Sequence, residues 1–136
     1  MERLIADTGF LVALGRRADR RHDGALRFAG KFEGQLVTVS PVIVEACHFL
    51  SPQSRLTLLE SIGGGRLIVA EVPVRNYPEL AGTIRRYANR DVDFADAALV
   101  WLAEQTGLLR ILTVDVADFS TLRLKGGKRF ELVDWQ

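Results

Sequence analysis

Short apolar runs and longer amphipathic stretches alternate along most of the chain. The runs that predict strands cover residues 4–6, 35–39, 67–69 and 109–114, and a fifth at 130–133 is expected at an edge of the sheet. A short, continuous apolar run is typical of a strand that is buried on both faces, as in a parallel sheet. Their spacing leaves room for a helix between successive strands.

The intervening segments have helical patterns. We predict helices over residues 9–14, 18–32, 56–62, 78–88 and 94–105, and another that Pro41 opens with Ser40 as its N-cap. Gly63–Gly65 and Gly107 are predicted to end two of them. Strands separated by helices favour parallel pairing with right-handed crossovers. The predicted fold is α/β, a three-layer α/β/α sandwich with a central, mainly parallel sheet of four or five strands.

Length, net charge and apolar content limit the classes of protein to which this chain can belong. A chain of 136 residues is expected to form a single domain, 1–136. The formal net charge of +1 means that any affinity for nucleic acid must come from local patches. No apolar run approaches the 18 or so residues that would span a bilayer, and the first residues lack a secretory pattern, so we expect a cytoplasmic protein with no membrane partner. Cys47, His22 and His48 are interpreted as structural or surface residues.

Carboxylates interrupt or end several of the apolar stretches. Asp7 and Asp115 directly follow strand-like runs, and ligands of open parallel sheets bind beyond the carboxyl ends of the strands. Glu45 is the one acid in an otherwise apolar helical stretch. Asp96 lies away from the apolar stripe of its helix and one turn from Asp93, so these two aspartates can point into the same space. Buried or crowded carboxylates need a compensating charge.

A divalent cation would remove the conflict between converging acids. Two unit charges 4 Å apart repel by roughly 1 kcal/mol in water and about 4 kcal/mol at an effective dielectric of 20. An all-oxygen ligand set without clustered Cys or His suits Mg²⁺ or Mn²⁺ rather than Zn²⁺. The chemistry that such a site supports is phosphodiester hydrolysis with one or two bound ions, and the sequence does not decide between one ion and two.

Four motifs, in this order and spacing, resemble the PIN-domain nucleases and most closely the VapC-like toxins of type II toxin-antitoxin modules. The motifs are Ile5-Ala6-Asp7-Thr8-Gly9-Phe10, Val44-Glu45-Ala46, Asp93-Phe94-Ala95-Asp96-Ala97-Ala98, and Leu112-Thr113-Val114-Asp115 followed by Asp118-Phe119. The resemblance covers essentially the whole chain. It implies a PIN-like fold and a metal-dependent endoribonuclease in which Asp7, Glu45, Asp96 and Asp115 are the catalytic, metal-binding acids.

The resemblance also implies roles for neighbouring residues and partners. Thr8 and Thr113 would orient the carboxylates by hydrogen bonding. Asp93 is either a helix cap or a further ligand, and Asp118 either a peripheral ligand or a loop cap. The implied partners are RNA, a second copy of the chain, and a small VapB-like antitoxin whose C-terminal segment lies across the acidic pocket. Four residues belong either to the core or to a groove for a partner helix: Leu50, Leu58, Leu59 and Ile62.

Basic residues form three groups, at 16–21, 85–90 and 125–129. An acidic site needs cations nearby to hold a polyanion, and Arg16, Arg17, Arg85 and Arg86 are the candidates for RNA contact. Most arginines on helices are only solvated, which is the alternative for each.

Two other enzyme classes share a single feature with this chain. Asp7-Thr8-Gly9 matches the catalytic triplet of aspartic proteases, but those proteins are all-β and the helical periodicity argues against them. Haloacid-dehalogenase phosphatases need a second acid where this chain has Gly9. A catalytically weak or inactive PIN-like module that binds RNA or protein, and a stand-alone RNA-processing nuclease, stay open as alternatives.

Overall fold

The computed structural model describes all residues, from Met1 to Gln136. Five parallel strands form one sheet in the order β3-β2-β1-β4-β5. The strands are β1 (Arg3–Ala6), β2 (Gln35–Val39), β3 (Leu67–Ala70), β4 (Arg110–Leu112) and β5 (Glu131–Leu132). The α/β prediction with a mainly parallel sheet is confirmed, and the short last strand lies at an edge as expected.

Seven α-helices connect or flank the strands. They are α1 (Thr8–Gly15), α2 (His22–Lys31), α3 (Ser40–Phe49), α4 (Pro52–Gly63), α5 (Tyr77–Arg86), α6 (Phe94–Thr106) and α7 (Val116–Thr121). Short 3-10 helices cover Val74–Asn76, Ala88–Arg90 and Lys125–Gly127. The structure contains no helix with both the length and the apolar character needed to cross a membrane.

The core lies on both sides of the central strands. Ile5 in β1 and Ile111 in β4 are fully buried and are paired in register. Helix α6 is buried along most of its length, from Ala95 to Ala103 with Asp96 as its half-buried exception. A helix that is apolar nearly all round must lie in the interior. Asp96 therefore departs from the pattern of its own helix.

Local side-chain bonds explain where the helices differ from the predicted bounds. Helix α2 starts at His22, four residues later than predicted, because a turn precedes it in which the Asp19 carboxylate accepts a hydrogen bond from the Arg21 N–H at 2.8 Å. The prediction that Ser40 caps α3 is wrong. Val39 is the cap residue, and the Ser40 hydroxyl instead donates to Glu71 at 2.8 Å. Helix α4 starts early, at Pro52, because Ser51 caps it.

Candidate active site

Asp7 is the buried centre of the site. It follows the last residue of β1, and its backbone N–H donates to the Leu112 carbonyl at 3.0 Å, which fixes it beside the end of β4. Its carboxylate caps α1, where Oδ1 accepts from the Thr8 N–H at 2.7 Å, and Oδ2 accepts from the Thr113 hydroxyl at 2.9 Å. Only 7% of the residue is exposed. Burial raises the pKa of Asp7 to about 6, outweighing the two hydrogen bonds that favour its charged form.

Thr113 joins the two strand-end aspartates. Its hydroxyl donates to Asp7 and accepts from the Asp115 N–H at 3.0 Å, so one buried hydroxyl fixes both positions. The Thr8 hydroxyl does not form the expected bond to a carboxylate. It is buried without a hydrogen-bond partner, and the Thr8 backbone N–H serves Asp7 instead. The orienting hydrogen bonds predicted from sequence are therefore present for Thr113 and absent for the Thr8 side chain.

Glu45 and Asp115 reach the site from opposite sides of β1. Glu45 lies on α3, which follows β2, whereas Asp115 precedes α7 beyond β4. Burial raises the pKa of Glu45, and the charges of Asp93 and Asp7 raise it further. Burial also raises the pKa of Asp115, with added repulsion from Asp118 and Asp93. Charges interact in this way only when they share a region of space.

Asp93 and Asp96 form a reciprocal cap at the start of α6. Asp93 accepts from the Asp96 N–H at 2.9 Å, and Asp96 accepts from the Asp93 N–H at 3.3 Å. This is the capping-box arrangement with aspartates in both positions. Burial raises the pKa of Asp96 to about 7, with repulsion from Asp93 as the next cause. The capping interpretation of Asp93 is confirmed, but its charge also acts on Asp7, Glu45 and Asp115.

The fold thus gathers acids from four segments at the carboxyl ends of the strands. In addition to burial, the charge of Asp93 raises the pKa values of Asp7, Glu45, Asp96 and Asp115, and the charge of Asp7 raises those of Glu45 and Asp96 as well. Hard oxygen ligands of this kind fit Mg²⁺ or Mn²⁺. As placed, however, no three of the Asp, Glu, His or Cys side chains are grouped so that they could hold an ion. The donor chemistry fits a hard cation, and ligation requires these mutually repelling side chains to turn toward a common point.

The predicted RNA-contacting arginines are exposed but make no ion pair with these acids. Arg16 and Arg17 follow α1, and Arg85 and Arg86 end α5. The basic residue that does pair with this region was not among the candidates. An Arg90 guanidinium nitrogen lies 3.9 Å from a carboxylate oxygen of Asp118. Its signal in the sequence was its position three residues before Asp93, among the basic residues at 85–90.

Comparison with known proteins places this arrangement in a family. No protein-family model matches the sequence. Ribonuclease VapC26 of Mycobacterium tuberculosis is 30% identical over 135 residues, an alignment that covers 96% of this chain and 99% of the relative. The chain belongs to the VapC family of PIN-domain ribonuclease toxins. This family assignment covers the whole fold described above.

A solved VapC structure shares the fold. The crystal structure of M. tuberculosis VapC20, described as a toxin that cleaves the sarcin-ricin loop, superposes with a TM-score of 0.75 at 20% sequence identity. The superposition covers 85% of this chain and 93% of VapC20. At this identity, the likeness to VapC20 extends to the fold alone.

Proposed function

We propose that this VapC-family chain is a metal-dependent endoribonuclease whose catalytic, metal-binding set is Asp7, Glu45, Asp96 and Asp115. The observation that carries the proposal is the convergence of these acids around the buried Asp7 carboxylate. Mg²⁺ or Mn²⁺, as one ion or two, would neutralise the carboxylates, lower the pKa of a water molecule and stabilise charge on the phosphate. Asp93 borders the set, and its charge acts on all four members.

The chain's own residues have separable tasks in this proposal. Asp7 is held in one orientation by Thr113 and by the Thr8 N–H, so it forms the rigid wall of the site. Asp96 is half-buried with a pKa near 7, which suits a group that holds or releases a proton at neutral pH when no cation is bound. Asp115 is exposed and lies where RNA can approach. Rigid and accessible acids together position the cation and admit the substrate.

Cleavage assays test the proposal directly. The purified chain is incubated with tRNA, ribosomal RNA and a sarcin-ricin hairpin, with Mg²⁺, Mn²⁺ or EDTA. We expect cleavage of at least one RNA with either ion and none with EDTA, and loss of cleavage in Asp96→Asn. A control, Asp134→Asn, makes the same chemical change at a carboxylate that lines a pocket with Glu2 and Arg110 and does not belong to the acidic site. Equal cleavage by wild type and Asp96→Asn would exclude the assigned site, and binding without cleavage would favour the inactive RNA-binding module.

We also propose that the antitoxin partner binds a groove between α1, α2 and α4. The groove has a volume of about 740 Å³, and its apolar lining includes Leu11, Leu14, Leu26, Leu50 and Leu58. Arg16 and Arg17 lie at its margin. An apolar helix with acidic flanking residues fits such a surface. Of the four leucine and isoleucine candidates from the sequence, Leu50 is buried, Leu58 and Ile62 are half-buried and Leu59 is 52% exposed.

A charged substitution in this groove should weaken antitoxin binding without changing catalysis. We expect Leu26→Glu to weaken binding of a VapB-like antitoxin at least tenfold, because burying an unpaired carboxylate opposes association. RNA cleavage by the free toxin should be unchanged, since Leu26 is 48% exposed and does not belong to the acidic site. Leu56→Glu, a similarly exposed leucine on α4 outside the groove lining, is the control. Equal affinity in both variants would place the antitoxin elsewhere.

The implied homodimer is proposed on exposed apolar residues. Val44 and Phe49 on α3 are 69% and 57% exposed, and Val74 before α5 is 75% exposed. Burying exposed apolar side chains against a second copy of the chain would favour association. Light scattering on the purified chain should give twice the monomer mass, and Phe49→Asp should reduce it to 15.1 kDa. A monomeric wild type would contradict this.

The four arginines predicted from sequence are proposed as secondary RNA contacts. Arg16, Arg17, Arg85 and Arg86 are all exposed, and none forms an ion pair that would occupy it. Each phosphate contact on a single strand changes the slope of log affinity against log salt by about 0.7. Paired substitution to Gln, Arg16 with Arg17 and Arg85 with Arg86, should therefore reduce that slope if the pairs touch RNA.

A further inference from the structure

Charge is unevenly compensated around the acidic site. Six carboxylates lie at or beside it: Asp7, Glu45, Asp93, Asp96, Asp115 and Asp118. Four salt-bridging contacts exist in the molecule, and one of them involves a member of this group, the contact between Arg90 and Asp118. Arg90 is thus the cation that the fold pairs with the acidic site. An RNA phosphate approaching this site meets strong repulsion from the acids and attraction from this guanidinium.

The segment that carries Arg90 has a defined conformation. Arg90 ends the 3-10 helix Ala88–Arg90, and its N–H donates to the Tyr87 carbonyl at 2.9 Å. The Tyr87 hydroxyl accepts from the Arg123 N–H at 2.8 Å, which attaches this segment to the chain after α7. Asp91 has a left-handed backbone conformation with φ 54°, uncommon for a residue other than Gly, and Val92 is buried. These contacts fix the backbone from which Arg90 extends.

We propose that Arg90 binds a phosphate of the RNA strand beside the acidic residues, and that Asp118 is its positioning residue rather than a metal ligand. This rests on the proposed ribonuclease function and deepens it by naming a substrate-binding group. Arg90 lies three residues before Asp93, and its partner Asp118 is close enough to Asp115 to repel it. The partly exposed guanidinium therefore lies at the margin of the acidic group, within reach of solvent and of a phosphate that enters the site.

The contact with Asp118 is weak enough to be exchanged. The nitrogen–oxygen distance is 3.9 Å, and the two side chains are 44% and 36% exposed. An exposed pair of this kind contributes little to stability. A phosphate offers Arg a planar, two-point contact that is stronger than this long single contact. Asp118 therefore holds the guanidinium near the site without preventing its transfer to RNA.

The test measures RNA affinity and turnover separately. The probe is fluorescein-labelled tRNA; anisotropy in EDTA, which prevents cleavage, gives its Kd at several salt concentrations, and cleavage with Mn²⁺ gives KM and kcat. We expect Arg90→Gln to raise KM and Kd about tenfold or more, with kcat within about threefold, because a charge-assisted contact is lost. The slope of log Kd against log salt should change by about 0.7, the value for one phosphate. Arg90→Lys should restore part of the affinity, since Lys keeps the charge without the planar fork.

A matched variant controls for the change in net charge. Arg27 is an exposed arginine on α2 without an ion pair, near the Glu2 end of the sheet, so Arg27→Gln should leave KM, Kd and the salt slope unchanged. Equal effects of both substitutions would mean a general electrostatic contribution and would overturn the assignment of Arg90. An unchanged Kd and salt slope in Arg90→Gln would overturn it as well.

Asp118 is tested by metal affinity. Thermal-shift titration with Mn²⁺ should give the same affinity for Asp118→Asn as for wild type, whereas Asp7→Asn should weaken it. A weakened Mn²⁺ affinity in Asp118→Asn would make Asp118 a ligand and contradict its positioning role. If the wild type binds RNA without cutting it, the proposed catalytic function fails while the Arg90 phosphate contact is still decided by Kd. If the wild type neither binds nor cuts any RNA, both proposals fail.

Discussion

Acidic side chains are paired with a cation at the amino end of the parallel sheet, whereas they repel one another at its carboxyl end. At the amino end, Arg110 is paired with both Glu2 and Glu131, so the acids there are matched by a cation. At the carboxyl end, burial and mutual repulsion raise the pKa values of Asp7, Glu45, Asp96 and Asp115. Charges that serve stability or solubility are usually paired or solvated, whereas a functional site retains unfavourable ones. The difference supports the proposal that the carboxyl end of the sheet carries function at a cost in stability.

The largest effect is expected from removing the carboxylate charge of Asp7 at the carboxyl end. Asp7→Asn should reduce RNA cleavage by about 10³-fold, because a cation site contributes several kcal/mol to transition-state stabilisation. Glu2→Gln makes the same chemical change at the amino end and should keep activity within about twofold. Single-turnover cleavage with saturating Mn²⁺ measures both. Similar activities for the two variants would remove the functional distinction between the ends.

The raised pKa of Asp7 predicts how stability depends on pH when no divalent cation is present. Its pKa is about 6 in the folded chain and 3.8 in the unfolded chain, so the folded state binds more protons between these values. Stability from this group is complete below about pH 4 and is lost as pH rises through about 6. The loss is on the order of 2–3 kcal/mol for Asp7.

Urea unfolding in EDTA at pH 5 and pH 8 measures this effect. As pH rises, the free energy of unfolding of the wild type should fall relative to that of Asp7→Asn. Adding Mg²⁺ or Mn²⁺ at pH 8 should stabilise wild type and not the variant, because a ligand that binds only the folded state raises its stability. Parallel pH profiles for the two proteins would show that the pKa of Asp7 is not raised in the folded chain.

The shared hydroxyl of Thr113 predicts an intermediate effect. Thr113→Val removes the bonds to Asp7 and Asp115, and loss of such an orienting group typically costs 10- to 100-fold in metal affinity or activity. Thr38 is a matched control, since it is equally buried and its hydroxyl donates to the Ala6 carbonyl at 2.7 Å. Thr38→Val should lower the melting temperature without changing Mn²⁺ affinity. Equal Mn²⁺ affinities in both variants would leave Thr113 with a structural role only.

The smallest effect is expected at the amino end. Arg110→Gln removes the cation shared by Glu2 and Glu131, but the side chains are about half exposed, so the free energy of unfolding should change by less than about 1 kcal/mol. Cleavage should be unaffected. A loss of activity here would mean that the two ends of the sheet are coupled, contrary to the separation of stability and function proposed above.

Much of the architecture was predictable because it depends on local patterns. The Gln35–Val39 strand was predicted to the residue, and the strands at both Leu67 and Glu131 differed only at their bounds. Helix α6 likewise begins at Phe94 as predicted and ends at Thr106, and the predicted Gly107 is its cap with a φ of 74° that suits glycine. Strand–helix alternation then restricts the topology to a parallel sheet. The predicted bounds failed where side chains redirect the backbone, as Asp19 does before α2.

The sequence by itself determined the fold class and the identity of the acids, since a carboxylate that ends or interrupts an apolar run is visible in one dimension. Only the tertiary structure decided which side chains form hydrogen bonds or ion pairs with those acids. Thr113 bonds to an aspartate 106 residues away, while the hydroxyl of Thr8, adjacent to that aspartate, bonds to nothing. Arg90 likewise pairs with Asp118, although α6 and β4 separate them in the sequence. Hydrogen bonds and ion pairs depend on distance in space, and a single sequence encodes that distance only through the packing of the whole chain.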